Sequence, residues 1–239
     1  MPRVSRSGTA ASSIAYFKRM LQLPQMDFEF ALWQMLYLVI SPRRVYRNIF
    51  YHKQTKNQWA RDDPAFVVLL LLFISVTAVA YGIAYKLGVL GTLNLILFMG
   101  FVDFLLVGAV VATIVWFFTN NMLIQQQIHS AEQAVEWAYC FDVHCNAFFP
   151  VFLITYVLQF FFIPIVTQNG WISLFVGNTL YLVAITYYFY VTHLGYNVLP
   201  FLRHPEVFLF PISILGVLYI LSLFVWFNVS KKVLNAYFP

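Results

Sequence analysis

Charge is scarce in this sequence: Asp, Glu, Lys and Arg together make up 10% of its 239 residues. Soluble domains carry roughly 25%, so a water-facing globular surface is excluded. Cysteine is scarcer still. Cys140 and Cys145 stand alone, which excludes a disulfide framework and a thiolate-clustered metal site. There is no phosphate-binding glycine loop, no G-x-S-x-G elbow and no H-E-x-x-H pair. Those are the sequence marks of nucleotide handling, serine hydrolysis and zinc proteolysis, so neither an enzyme nor a cofactor is expected. His144 and Cys145 lie beside Asp142, but zinc wants about four ligands and the other histidines are scattered. No metal site is expected.

Apolar residues are what the chain has in abundance, 62% hydrophobic and 20% aromatic, as suits a lipid-facing protein with interface anchors. Twenty-two uncharged residues lie between Asp63 and Lys86, enough to cross a hydrocarbon core of about 30 Å at about 1.5 Å per residue. A second span follows Gly91, TLNLILFMGFVDFLLVGAVVATIVWFF, interrupted only by Asp103. Thr119 to Asn146 is a polar connection holding Glu132, Glu136 and Asp142. No charge occurs from Val143 to Leu202, too long a run for one span. Gln168-Asn169-Gly170 supplies a turn that divides it, giving spans near 147–167 and 171–195. The uncharged residues between Glu206 and Lys231 make a fifth.

The fold class expected is all-α, an integral membrane bundle of about five transmembrane helices. Residues 1–63 form a basic cytosolic segment with short interfacial helices, 64–230 the membrane domain and 231–239 a short tail. FEFALWQMLYLVI (28–40) is too short to span, and IAYFKRMLQL (14–23) mixes apolar and basic residues like a surface-lying helix. Ten of the 14 Lys and Arg residues lie within residues 1–61. The positive-inside tendency places that segment in the cytosol, and five spans then put the other end in the lumen.

The stretch KQTKNQWARDDPAF (53–66) places two acids against the start of the first span. Asp63 is a good N-cap and Pro64 is tolerated in a first turn. The acids sit by the positive end of the helix dipole, and Trp59 suits headgroup depth. Upstream, Arg43, Arg44, Arg47, Lys53, Lys56 and Arg61 interleave with Tyr46, Phe50, Tyr51 and Trp59. Three readings fit this basic platform: attraction to membrane lipids, docking of a cytosolic protein on aromatic anchors, and RNA contact by stacking and charge. Asp103 is the one acid within an expected span. It is either hydrogen-bonded glue facing Gln159 or Asn178, or part of an ion or substrate pathway. Gly108 and Ala112 have the small-xxx-small spacing of close helix contacts.

QMDFEFALWQMLYLVISPRRVYRN (25–48), KQTKNQWARDDPAF, EWAYCFDVHCNAFFP (136–150), VGNTLYLVA (176–184) and YYFYVTHLGYNVLPFL (187–202) occur in this order. Together they resemble the uncoordinated-fifty family of Golgi membrane proteins over roughly residues 25–230. The resemblance implies a multi-pass Golgi protein that supports assembly or surface delivery of receptor cargo of the nicotinic acetylcholine type. It further implies an ARF guanine-nucleotide exchange factor as partner, and a relative with RNA-binding activity. It brings no catalytic site. A trafficking adaptor is therefore expected, with a transporter built on Asp103 and a membrane-tethered RNA binder as the alternatives. The charge asymmetry predicts that an N-terminal tag on sealed vesicles is digested by added protease without detergent. A tag that survives would reverse the orientation.

Overall fold

Inside hydrocarbon each backbone N–H and C=O must bond within its own segment, so long apolar runs become helices. The computed structural model describes residues 26–56, 58–125 and 133–238, with the backbone alone for 52–56. The surface helix expected over 14–23, the side chains of Lys53 and Lys56, and Glu132 lie outside the described residues. Five helices are long and apolar enough to cross a membrane: α3 (Ala65–Ala84), α4 (Gly88–Leu123), α5 (Trp137–Val166), α6 (Trp171–Asn197) and α7 (Pro205–Phe224). Two helices precede them, α1 (Phe28–Ile40) and α2 (Pro42–Lys56), and α8 (Val229–Tyr237) follows. Among the described residues there is one isolated antiparallel bridge, Ile124 with Leu202, and no named strand. The architecture is an all-α membrane bundle.

The α1 N-terminus is capped by Asp27, whose carboxylate accepts from the Phe30 N–H at 2.8 Å. The helix stops at Ser41 because Pro42 lacks an N–H and opens α2 instead. Ala31, Met35 and Leu38 face inward while Leu32, Leu36 and Ile40 remain exposed, so α1 lies along the bundle rather than through it. The Tyr187 hydroxyl on α6 donates to the Leu38 and Val39 carbonyls and pins the end of α1. In α2, Val45 and Tyr46 are buried and Arg43, Arg44, Arg47, Asn48 and Tyr51 are exposed.

Successive spans pack on one another, α3 on α4, α4 on α5, α5 on α6 and α6 on α7. The α3 start, α4 end, α5 start, α6 end and α7 start therefore share the side that carries α1 and α2, called the platform side below. There the Arg203 N–H donates to the Leu123 carbonyl and the Gln125 N–H to that of Phe201. A π-helical stretch closes α4 at Thr119–Leu123, and two more interrupt the spans, Phe98–Leu106 in α4 and Leu153–Leu158 in α5. The one in α5 begins three residues after Pro150, whose missing N–H breaks the regular ladder.

Three expectations are corrected. The polar connection does not reach Asn146: α5 begins at Trp137, and Asp142, His144, Cys145 and Asn146 are buried in its first turns. A polar stripe that finds partners within the protein does not end a span. The fifth span stops at Phe224, where Trp226 takes a positive φ of 56° and Asn228 caps α8. Residues 231–237 thereby belong to α8, which packs back against α6. The cap of α3 also sits one residue later than expected. Pro64 occupies the N-cap position, while Asp63 still accepts from the Ala65 N–H at 3.0 Å.

Two glycines allow close helix approaches beside the platform side. A Cβ on Gly108 would lie 2.6 Å from the His144 ring, and one on Gly195 would lie 2.9 Å from both Val143 methyls and 3.2 Å from the Tyr46 ring. These neighbours are buried β-branched and aromatic groups with little room to shift. Gly195→Ala should therefore destabilise the protein by ~1–3 kcal/mol as an overpacking change. A lowered melting temperature in detergent is the readout. Gly216→Ala, which meets nothing within 4 Å, is the matched control.

Candidate functional site

Arg61 lies in the turn between α2 and α3, yet it points into the bundle. Its backbone N–H donates to Asp142 Oδ2 at 2.6 Å, and its Nη2 donates to Asn146 Oδ1. The guanidinium carbon stands 4.1 Å from the centre of the Phe66 ring. Its Nε and Nη1 are buried without a hydrogen-bond partner among the described residues. Asn146 Nδ2 reaches the Tyr46 hydroxyl at 3.4 Å, and Tyr46 is only 3% exposed. Burial pushes the Tyr46 phenol well above its ordinary pKa, so it stays a neutral hydroxyl.

Helical spacing explains how α5 serves this cluster. Tyr139, Asp142 and Asn146 fall at i, i+3 and i+7, one stripe of a helix. The Tyr139 hydroxyl donates to the Gly195 carbonyl on α6 at 2.6 Å, and its ring meets Trp59, which also contacts Phe201 and Phe50. One stripe thus ties the turn before α3 and the inner face of α2 to the spans. Beside it, His144 Nδ1 pairs with the Tyr188 hydroxyl at 2.8 Å. The arrangement holds no nucleophile–base pair with an open approach. Among the described residues no group of three His, Cys, Asp or Glu is placed to hold a metal. Chemically it is a polar clamp.

The basic residues part company. Arg44 Nη1 donates to the Tyr37 hydroxyl at 2.9 Å, and its guanidinium stacks 4.4 Å over the Tyr37 ring. Arg44 is thus occupied in joining α2 to α1. Arg61 and Tyr46 belong to the clamp, so neither serves as an exposed docking group. Trp59 is half-buried. Arg43, Arg47 and Tyr51 remain outward, Tyr51 at 58% exposure.

Asp103 lies in the π-helical stretch of α4. Its Oδ2 accepts from the Tyr156 hydroxyl at 3.1 Å and from the Tyr237 hydroxyl of α8. The partners expected for it sit elsewhere. Gln159 is 2% exposed with Oε1 unpaired. Asn178 donates to Ser222 Oγ and the Phe227 carbonyl at 2.8 Å each, and accepts from the Val229 N–H. Asn178 therefore fixes the turn from α7 into α8, and α8 delivers Tyr237 to Asp103. Tyr156 was not legible as a partner because π-helical winding in α4 and α5 shifts both faces out of the 3.6-residue phase, and Tyr237 was not because it lies in α8, a helix not expected from the sequence.

Comparison with known proteins gives consistent results. A sequence model described as the UNC-50 family matches residues 16–238. The Protein unc-50 homolog of Dictyostelium discoideum is 47% identical over 245 residues, covering 99% of this chain and 94% of that protein. That of Danio rerio is 46% identical over 230 residues, covering 95% and 88%. The Homo sapiens homolog is 45% identical over 234 residues, covering 98% and 90%. No solved structure matches.

The clamp and the Asp103 pair differ in what their loss leaves behind. Asp142→Leu leaves the Arg61 backbone N–H without its acceptor and takes the carboxylate from beside a guanidinium that has buried, unpartnered nitrogens, and should cost ~1.5–3 kcal/mol, the scale of a hydrogen bond to a charged group. Tyr237→Phe removes one of two donors to Asp103 and should cost about 0.5–2 kcal/mol. Asp103→Asn keeps an acceptor oxygen and should stay close to wild type. Melting temperature and steady-state abundance check all three. A mild Asp142→Leu phenotype would remove the clamp from the account.

Proposed function

Because this chain belongs to the UNC-50 family, we propose that it is a non-enzymatic trafficking adaptor of the Golgi membrane. It supports assembly or surface delivery of receptor cargo of the nicotinic acetylcholine type by recruiting an ARF guanine-nucleotide exchange factor. The platform side faces the cytosol and α8 lies on the lumenal side. One observation carries this reading: α2 is fastened to the spans on its inner face and left open on its outer face. The Tyr46–Asn146–Arg61–Asp142 chain fixes it, while Asn48 and Tyr51 project outward. A docking surface held rigid before its partner arrives loses little freedom on binding.

The exposed aromatic is the natural anchor of such a surface, since Tyr is enriched among binding hot spots. Tyr46 is buried and so is not part of it. Asn48→Ala with Tyr51→Ala should leave melting temperature, abundance and Golgi residence unchanged. Recovery of the exchange factor by co-precipitation, at fixed salt and matched abundance, should fall about tenfold, the effect of losing one anchor worth roughly 1.4 kcal/mol or more. Unchanged recovery rejects this docking surface.

A further inference from the structure

A groove of about 710 Å³ runs between the outer edge of α2 and the platform-side ends of α6 and α7. Arg43 and Arg47 line one wall, and Tyr190, Leu194, Val198 and Leu209 contribute to the other. The two arginines are one helical turn apart, which places them side by side with roughly 5–6 Å between their Cβ atoms. Unlike Arg44 and Arg61, neither has a hydrogen-bond or ion-pair partner among the described residues. No carboxylate lines the groove.

We propose that this groove is a binding site for an anionic phospholipid bearing a phosphate monoester, with the phosphate held between Arg43 and Arg47. Three observations support that occupant. Charge matches: a phosphate monoester carries about −1.5 to −2 at neutral pH, and two forked guanidiniums supply the complementary charge in the geometry that phosphate oxygens accept. Depth matches: the groove lies where α6 ends at Asn197 and α7 begins at Pro205, the level of the headgroups on the platform side. Continuity matches as well. Below the groove α7 has no buried residue from Phe210 to Phe224, so acyl chains leaving the phosphate meet an uncovered apolar surface that continues through Phe210, Ile214 and Val217. A free phosphate would use the arginines and leave the apolar wall idle. The lipid uses both.

The site would neutralise the two unpartnered cations of α2 and add a contact between α2 and α7. Tyr51, the anchor of the proposed docking surface, also lines this groove, so the lipid site borders that surface while its phosphate contacts use other residues.

The test uses the full chain in nanodiscs of phosphatidylcholine with a minority of phosphatidic acid, followed by native mass spectrometry of the released protein. Wild type should retain phosphatidic acid in preference to phosphatidylserine present at equal amount. Arg43→Gln with Arg47→Gln should weaken retention about tenfold or more, a change of about 1.4 kcal/mol or more. Arg44→Gln removes the same unit of charge one residue away, but from a side chain committed to Tyr37, and should leave retention within about twofold if charge count alone is not the cause. Equal loss from Arg44→Gln would reduce the effect to diffuse attraction and overturn the site. Equal retention of phosphatidylserine would overturn the monoester assignment. Both arginines are exposed, and each single variant, expected to show a partial loss, keeps the test open should the double variant express poorly.

Discussion

The Arg61–Asp142 contact joins two parts of the chain 81 residues apart, and the organisation of the platform side depends on it. A backbone N–H from a turn is given to a buried carboxylate on a membrane helix, and the same residue's guanidinium goes on to Asn146. Neither group tolerates being buried alone, because an unpaired charge in an apolar interior costs several kcal/mol. The turn before α3 must therefore close onto α5. Once it does, Trp59 meets Tyr139 and Phe201, and Tyr46 comes within reach of Asn146. The inner side of α2 follows from that closure, and so does the exposure of its outer side.

Much of this architecture was legible in the sequence because hydrocarbon imposes such strict terms. Uncharged runs of the right length, the Asn169-Gly170 break and the short apolar stretch ending at Pro42 each correspond to a helix or a turn. The site was less legible. Asp142, His144 and Asn146 read as members of a polar loop, since hydropathy registers that they are polar and not that a partner awaits each of them. The stripe Tyr139, Asp142, Asn146 was a signal at helical spacing, but its meaning came from Arg61 and Tyr46, far away in the chain. The basic platform shows the converse. Four arginines that look equivalent in sequence divide into one stacked on a neighbour, Arg44, one turned into the bundle, Arg61, and two that face outward, Arg43 and Arg47, and packing alone separates them.

Asp103 and Asp142 show two ways of keeping an acid in a membrane protein. Asp142 lies near the platform edge beside a cation and a backbone donor. Asp103 lies deeper in α4 and among the described residues has only neutral hydroxyl donors, from Tyr156 and Tyr237. The first arrangement is costly to cut on either side. In the second, each donor removed leaves the other in place.

The position of Tyr237 also sets a schedule for making the protein. Asp103 enters the membrane with α4, Tyr156 follows 53 residues later, and Tyr237 follows only after 134. At synthesis rates of about 5–20 residues per second, the carboxylate spends roughly 7–27 s without its second donor. A lone acid at mid-membrane carries an insertion cost of about 2.5–3.5 kcal/mol. The nascent chain thus passes through a half-built bundle whose second span is held only weakly, until α8 has folded back and closed it. Quality control that senses exposed intramembrane polarity would have its longest opportunity in that interval, well after the span itself has been inserted.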